Sequence, residues 1–134
     1  MSEAKLSTKV LQTLRPLDAI PVDNPRKPGT PDINYIEGWI ELKWLPDWPK
    51  RAATTVKFPK FRPEQRVWLV KRSKRGGVCF VFVQIKFMYL LYEGELAALY
   101  FDKLTKTEMI KAAYAVWDHY PEDELVKTLQ WWGQ

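Results

Sequence analysis

The residues with the clearest chemical potential are Asp32, Glu41 and Lys43, which lie near one another in the first half of the chain. Two carboxylates supply the hard oxygen ligands that Mg²⁺ prefers, and this ion usually keeps several waters besides. An amine beside such an ion can orient or deprotonate an attacking water, or stabilise the charge that develops in a transition state. The three residues together suit a magnesium-dependent phosphodiesterase, with the role of Lys43 left open among these.

Two short strands predict how these side chains come together. Residues 33–36 and 39–44 read as strands, and Gly38 supplies the permissive backbone for the reversal between them. Because Asp32 precedes this hairpin and Glu41 follows its turn, we expect both carboxylates to reach the same spot. The side-chain period of two predicts a charged face at a cleft and a buried apolar face. The first face carries Trp39, Glu41 and Lys43, and the second carries Ile40, Leu42 and Trp44.

The spacing of this hairpin resembles the signature of the PD-(D/E)XK nucleases. Its parts are Gly29-x-Pro31-Asp32, then eight residues, then Glu41-Leu42-Lys43. Gln65, in the segment Arg62-Pro63-Glu64-Gln65 that opens an apparent helix, resembles the glutamine of the virus-type replication-repair nuclease and Holliday-junction-resolvase branch. Glu3 is similar to the acidic residue that this branch often has in its first helix. The resemblance covers residues 3 to 90.

This resemblance implies a restriction-endonuclease-like α/β fold, in which a small mixed β-sheet is flanked by helices. It implies catalysis by Asp32, Glu41, Lys43 and Gln65. It also implies a bound Mg²⁺, for which Mn²⁺ can substitute, held by Asp32, Glu41 and the backbone carbonyl of Leu42, with Glu3 as a candidate further ligand. The implied activity is that of an endonuclease that hydrolyses DNA, including branched or otherwise structured DNA in replication, repair or recombination.

Each of these residues also has a purely structural interpretation. Glu41 and Lys43 would form an exposed ion pair on a strand, which contributes little to stability. Asp32 would be a turn residue after a proline, Gln65 a solvated side chain, and Glu3 an acid in a favourable first helical turn. Two other functions stay open: a noncatalytic nucleic-acid-binding or assembly protein on the same fold, and a nuclease directed at RNA.

Positive charge is concentrated beside the hairpin. The chain has a net charge of +5, yet residues 43–75 contain 11 of its 21 Lys and Arg residues, with only Asp47 and Glu64 as acids. Such a segment can neutralise phosphates, and its aromatic residues Trp44, Trp48, Phe58 and Phe61 offer stacking faces. The alternative is a solvated surface. The candidates for nucleic-acid binding are Arg26, Lys27, Lys50, Arg51, Lys57, Lys60, Arg62 and Arg66.

The order of predicted elements indicates an α/β domain of 134 residues, with its core at about residues 3–92 and a helical extension at about 103–134. Helices are predicted at 2–15, 62–75 and 121–131, and a further helix runs from Thr105 or Thr107 to Trp117 or beyond. Besides the hairpin, strands are predicted at 19–22, 78–86 and 87–92, and the proline-rich segment 44–59 is expected to lie over or beside the cleft.

Several other classes of protein are not expected. The single cysteine, Cys79, excludes an internal disulfide and a cysteine-rich zinc site, and indicates the cytoplasm, or the host cytoplasm for a viral protein. We expect no membrane association, because no window approaches the length of a span. We expect no nucleotide cofactor, because the phosphate-binding glycine motifs are absent. The expected partner is DNA, with a second copy of the chain as a further candidate.

Overall fold

The computed structural model describes residues 2–132 and has a mixed β-sheet covered by helices on both faces, so the predicted fold class is confirmed. The helices are α1 (Glu3–Thr13), α2 (Pro63–Lys74), α3 (Gly94–Tyr100), α4 (Lys106–Ala112) and α5 (Glu122–Trp131), and a 3₁₀ turn covers Arg15–Leu17. The strands are β1 (Ile20–Pro21), β2 (Ile33–Asn34), β3 (Trp39–Leu45), β4 (Cys79–Ile85), β5 (Met88–Glu93) and β6 (Ala115–Trp117).

The six strands lie in sequence order across the sheet. Strands β3 and β4 are parallel, and helix α2 makes the crossover between them, whereas the other neighbours are antiparallel. All seven residues of β4 are buried, as expected for a strand between two covered faces. The crossover places the first turn of α2 over the carboxyl-terminal half of β3.

Two apolar cores separate the layers. One lies between the sheet and helices α1 and α5, and the other lies between the sheet and helices α2, α3 and α4. Members of the first core include Leu6, Val10, Ile40, Leu42, Phe82 and Leu125. Members of the second core include Val56, Phe58, Leu69, Val81, Phe101 and Met109. Within residues 2–132, no helix is long and apolar enough to cross a membrane.

Strand β2 is short, and this leaves part of β3 open at one edge. The register pairs Ile33 with Ile40 and Asn34 with Trp39, and Tyr35 and Gly38 exchange backbone hydrogen bonds at the turn. Beyond Ile40 no strand of the described chain pairs with β3 on that side. The residues of β3 from Glu41 onwards therefore lie at an edge of the sheet that no strand of the described chain covers, although Glu41, Leu42 and Lys43 are themselves buried by other segments.

The segment after α4 differs from the prediction. The expected helix from Thr105 to Trp117 ends at Ala112, and residues Ala115–Trp117 form strand β6. The N–H of Tyr114 donates to the carbonyl of Leu91 at 2.7 Å, and β6 then pairs with β5. Pairing with an open sheet edge has overridden the local helical pattern, because it satisfies backbone groups that would otherwise be unpaired. The C-terminal extension is thus part of the sheet rather than wholly helical.

Helix α3 was not predicted. It begins at Gly94, a residue that disfavours helices, and it has only seven residues. A side chain at position 94 would lie 2.9 Å from the Cβ of Cys79, so glycine permits the close packing of α3 against β4. That packing is a tertiary feature with no local signal.

Candidate metal and catalytic site

Glu41 and Lys43 are buried side by side on β3. Their side chains lie on the face covered by α2, and the Lys43 Nζ is 3.1 Å from the Glu41 Oε2. Glu41 is only 1% exposed and Lys43 only 3% exposed. The exposed ion pair on a strand is therefore not what the chain forms, and neither is a charged pair that faces an open cleft. A buried pair of charges requires compensating partners, because desolvation is costly.

The ammonium group of Lys43 is fully engaged. It donates to the Gln65 Oε1 at 3.2 Å and to the backbone carbonyl of Lys60 at 3.0 Å, besides its contact with Glu41. It also lies 5.1 Å from the ring centroid of Phe61. Three acceptors match the three N–H donors of an ammonium group. The positive charge is consequently held in one position rather than left mobile.

Gln65 connects helix α2 to the charged pair. Its Oε1 accepts the N–H of Arg62 at 2.9 Å as well as the Lys43 ammonium, and its Nε2 donates to the Glu41 Oε2 at 3.1 Å. The side chain thus caps the first turn of α2 while it fixes the orientation of Glu41. The interpretation of Gln65 as a solvated side chain is wrong.

Asp32 is brought to Glu41 by a close approach of the backbone. Gly29 has φ 93°, and a Cβ at this position would lie 2.3 Å from the carbonyl oxygen of Glu64. Only glycine allows the loop to lie against the start of α2 in this conformation. At the end of the loop, the Asp32 Oδ2 accepts the N–H of Leu42 at 2.8 Å, at the edge of β3 that β2 leaves open.

Glu3 completes a cluster of three carboxylates. It is the first residue of α1, whose N-cap is Ser2. One carboxylate oxygen from each of Glu3, Asp32 and Glu41 lies within 4.8 Å of the others. The cluster therefore combines the first turn of a helix, a loop and a strand that are far apart in sequence.

Burial dominates the electrostatics of the cluster. It raises the pKa of Glu41 to about 8, with a further rise from the charge of Asp32 and an opposing effect of Lys43. Burial also raises the pKa of Asp32, although the Leu42 N–H and Lys43 favour the ionised form. The pKa of Glu3 is raised by burial too, against the charge of Lys43. These acids are costly to ionise together unless a cation neutralises them.

The donor set fits a hard divalent cation. The Oε1 of Glu41 is buried and has no hydrogen-bond partner among residues 2–132. Carboxylate oxygens at this separation are the ligands that Mg²⁺ prefers. In a strand, the N–H and C=O of one residue point to the same edge, so we expect the Leu42 carbonyl to face the side on which Asp32 accepts its N–H. Glu3, Asp32, Glu41 and the Leu42 carbonyl are thus the candidate ligands.

A cleft of about 250 Å³ adjoins the cluster. It shares Glu3 and Lys43 with the site, and its other lining residues are mostly apolar. These are Ser2, Trp44, Leu45, Pro46, Phe58, Pro59 and Lys60. The proline-rich segment after β3 forms one wall, in agreement with its expected place beside a cleft.

The basic residues near the site differ in how they are bonded. Lys50, Arg51 and Lys60 have exposed side chains near the cleft wall or in the loop that leads to it. Lys57 donates to the backbone carbonyl of Asp102 at 2.9 Å, and Arg62 lies 3.1 Å from Glu64. Arg26 and Lys27 belong to the loop before Gly29. Their predicted contacts with nucleic acid stay predictions.

Arg66 has a structural role that the sequence did not suggest. Its guanidinium donates to the carbonyls of Phe61 and Phe101 at 3.1 Å and to Asp102 at 2.6 Å, and it lies 4.4 Å from the centroid of the Phe61 ring. Because its guanidinium is bonded within the protein, Arg66 is the least suited of the predicted phosphate-binding residues to contact a phosphate. Asp102 also accepts the N–H of Phe58, so it holds the same region in place. No pattern in the sequence around Asp102 predicts this role.

The aromatic residues of the basic segment are mostly packed inside the protein. Phe58 and Phe61 are 3% and 4% exposed, and both contact the ring of Phe101. They do not form the exposed stacking faces that were expected. Trp44 is half-buried and lines the cleft, whereas Trp48 lies under the Lys106 ammonium.

A second basic pocket was not predicted as a unit. Lys27 joins Trp68, Lys71, Arg72 and Arg75 around a space of about 210 Å³ on α2. The Arg72 guanidinium lies 4.4 Å from the centroid of Trp68 and 5.5 Å from that of Trp39.

His119, the only histidine, is exposed and bonded to Asp118 and Glu124, outside the site.

Comparison of the sequence with models of known protein families finds no matching family, and comparison with curated proteins finds no significantly similar sequence.

Proposed function

We propose that this chain is a magnesium-dependent endonuclease of the PD-(D/E)XK superfamily, similar to the virus-type replication-repair branch, and that it hydrolyses DNA phosphodiester bonds in branched or otherwise structured DNA. The observation that carries the proposal is the convergence of Glu3, Asp32 and Glu41 within 4.8 Å, beside the buried Lys43 and Gln65. Stability alone does not account for a buried ion pair of this kind, because apolar residues of similar volume are often equally good.

The residues take distinct roles in this proposal. Glu3, Asp32, Glu41 and the Leu42 carbonyl hold Mg²⁺, which neutralises charge on the scissile phosphate and lowers the pKa of water. Lys43 places a fixed positive charge beside the reacting phosphate and stabilises the charge that grows there. Gln65 is a positioning residue, because its hydrogen bonds fix the Glu41 carboxylate and the Lys43 ammonium relative to each other.

The surroundings support a nucleic-acid substrate. Residues 43–75 are strongly basic, and the exposed cationic side chains of Lys50, Arg51 and Lys60 can neutralise the phosphates of a bound nucleic acid. Contacts between these cationic side chains and phosphates do not depend on the base sequence of the nucleic acid. The buried Cys79, with no second cysteine in the chain, is compatible with a cytoplasmic location, or the host cytoplasm for a viral protein.

The test is cleavage of a panel of labelled substrates by the purified chain. Linear, nicked, flapped and four-way DNA, with matched RNA, would be incubated with Mg²⁺, Mn²⁺, Ca²⁺ or excess chelator. We expect cleavage of DNA with Mg²⁺ or Mn²⁺ and none in chelator. We expect Ca²⁺ to support binding with little cleavage, because its looser coordination suits in-line hydrolysis poorly. Cleavage of RNA but not of DNA would indicate an RNA-directed nuclease instead.

Matched variants assign the activity to the site. Asp32→Asn and Glu41→Gln each remove a carboxylate without deleting volume, so we expect cleavage to be abolished while the protein stays folded. Glu37→Gln, an exposed acid in the turn before β3, is the control and should cleave normally. Full activity in either site variant would contradict the proposal, and DNA binding without cleavage by the unaltered chain would indicate a noncatalytic binding protein.

A further inference from the structure

The cleft beside Lys43 has an unusual combination of surfaces. Its lining is largely apolar, formed by Trp44, Leu45, Phe58 and neighbouring prolines, and its charged lining residues are Glu3, Lys43 and Lys60. Small-molecule sites are typically apolar hollows with a few placed polar groups. The cleft therefore fits a ligand that has a flat apolar part next to a phosphate.

Its shape follows from the open edge of β3. Adjacent residues of a strand point to opposite faces, yet Lys43, Trp44 and Leu45 all line the cleft. The cleft must therefore wrap around the end of the strand where β2 no longer pairs with it. Because it shares Glu3 and Lys43 with the acidic cluster, a ligand that has one group at the cluster can extend directly into it.

We propose that this cleft binds a single unpaired nucleobase of the strand that is cut, a proposal that rests on the proposed function. Trp44 is half-buried and lines the cleft, so its indole is the candidate stacking face, and Lys60 is an exposed lining residue whose ammonium is the candidate partner of the adjoining phosphate. Drug-sized ligands occupy clefts of roughly 300–1,000 Å³, so a cleft of about 250 Å³ suits a group as small as one base.

The consequence is a preference for DNA that contains an unpaired nucleotide at the cut. A base in a duplex is stacked and paired, and it must leave the helix before it can enter a pocket, at a cost that is smallest for an already unpaired base. Bulges, flaps and junctions offer such bases. The cleft would thus select the structure of the substrate while the basic surface binds any sequence.

The experiment compares three labelled duplexes that differ at one position: a one-nucleotide bulge, the same bulge without its base, and a fully paired duplex. Binding is measured by fluorescence anisotropy with Ca²⁺ in place of Mg²⁺. We expect the chain to bind the bulge with its base about 5- to 150-fold more tightly than the abasic bulge, the range for one stacked base. Trp44→Leu should reduce that ratio to near one, and Trp44→Phe should keep most of it.

The control is Trp131→Leu, which removes an exposed tryptophan of α5 that does not line the cleft and should leave the ratio unchanged. A ratio near one for the unaltered chain, or an unchanged ratio for Trp44→Leu, would overturn the base-binding proposal. If Trp44→Leu does not fold, the ratios of the unaltered chain and of Trp44→Phe decide the matter. Metal-dependent cleavage together with equal affinity for the two bulges would refute only the proposal that the cleft binds a base. Absence of cleavage on every substrate would refute the proposed function.

Discussion

The carboxyl group of Glu41 is buried, lies against a second acid and has one oxygen without a protein partner among the described residues. Its neighbours Lys43 and Gln65 are held by hydrogen bonds rather than by solvent. An arrangement of this kind is costly to fold, because each charged group loses its hydration. A bound divalent cation would offset this free-energy cost, because it would neutralise the carboxylates and coordinate the unpartnered oxygen.

The pKa of Glu41 makes the stability of the metal-free protein depend on pH. Burial raises this pKa from 4.5 to about 8, so the folded chain keeps a proton that the unfolded chain releases between these values. The free energy of unfolding should therefore fall as the pH rises from about 4.5 to about 8, and Asp32 and Glu3 act in the same direction. In chelator, the Tm should decrease across this range, and Glu41→Gln should flatten the decrease.

Because Mg²⁺ binds the ionised carboxylates, it should raise the Tm more at pH 8 than at pH 6. Thermal unfolding in chelator and in Mg²⁺ at each pH is the measurement. A metal-free protein that becomes more stable from pH 5 to pH 8, with the same profile in Glu41→Gln, would contradict the assignment.

Lys43 should matter more for turnover than for binding. Lys43→Met keeps most of the length of the side chain and removes the charge that is proposed to act on the transition state. We expect kcat to fall by roughly 10²- to 10³-fold, with DNA affinity within a few-fold of normal. Lys60→Met is the comparison, because its exposed amine should contribute to affinity instead. A loss of affinity without loss of turnover would make Lys43 a phosphate anchor.

The types and spacing of Asp32, Glu41 and Lys43, together with the family resemblance that added Gln65, selected these residues as candidates in the sequence. Their burial was not predictable, because it results from the segment around Lys60 and Phe61, which covers the strand face and supplies a carbonyl to Lys43. The prolines predicted that the preceding segment lies beside the cleft, but which groups contact Lys43 depends on how the chain folds back, and local patterns do not determine that.

At the scale of elements, the site depends on where β2 stops and on where two helices begin. Glu3 and Gln65 both lie in first helical turns, where the helix dipole favours the carboxylate of Glu3 and the Gln65 side chain caps the backbone N–H of Arg62. The helix starts were predictable, since Ser2 is an N-cap and Pro63 occupies a first-turn position. Strand β6 and helix α3 were not, because pairing with β5 and contact with Cys79 decide them.

Gly29 should be essential for the junction between the loop and α2. Gly29→Ala places a Cβ against the carbonyl of Glu64 at a positive φ, so it should destabilise the protein and reduce its affinity for Mg²⁺ by displacing Asp32. Gly76→Ala is the matched control, since Gly76 also has a positive φ, of 90°, but open space around it. It should cost only about 1 kcal/mol for the backbone conformation. Equal effects of both variants on metal affinity would argue against the proposed role of the loop.

At the scale of the whole molecule, the positive charge is uneven, and this should appear in the salt dependence of binding. Replacement of Lys50, Arg51 and Lys60 by glutamine should weaken binding to unrelated DNA sequences about equally. The slope of log K against log salt should become shallower by roughly 0.9 for each phosphate that the variant no longer neutralises. The control replaces Lys103, Lys111 and Lys127, which are exposed and outside the basic segment. Equal slopes for the two triple variants would show that the segment is only a solvated surface.

The acidic cluster joins the two covered faces of the sheet. Glu3 belongs to the helix on one face, Glu41 to the strand, and Gln65 to the helix on the other face. A cation bound there would link α1 to β3 and to the loop that carries Asp32, in addition to the apolar packing of α1 on the sheet. Local opening of α1 would then require release of the ion, so amide hydrogen exchange along this helix should become slower when the site is filled.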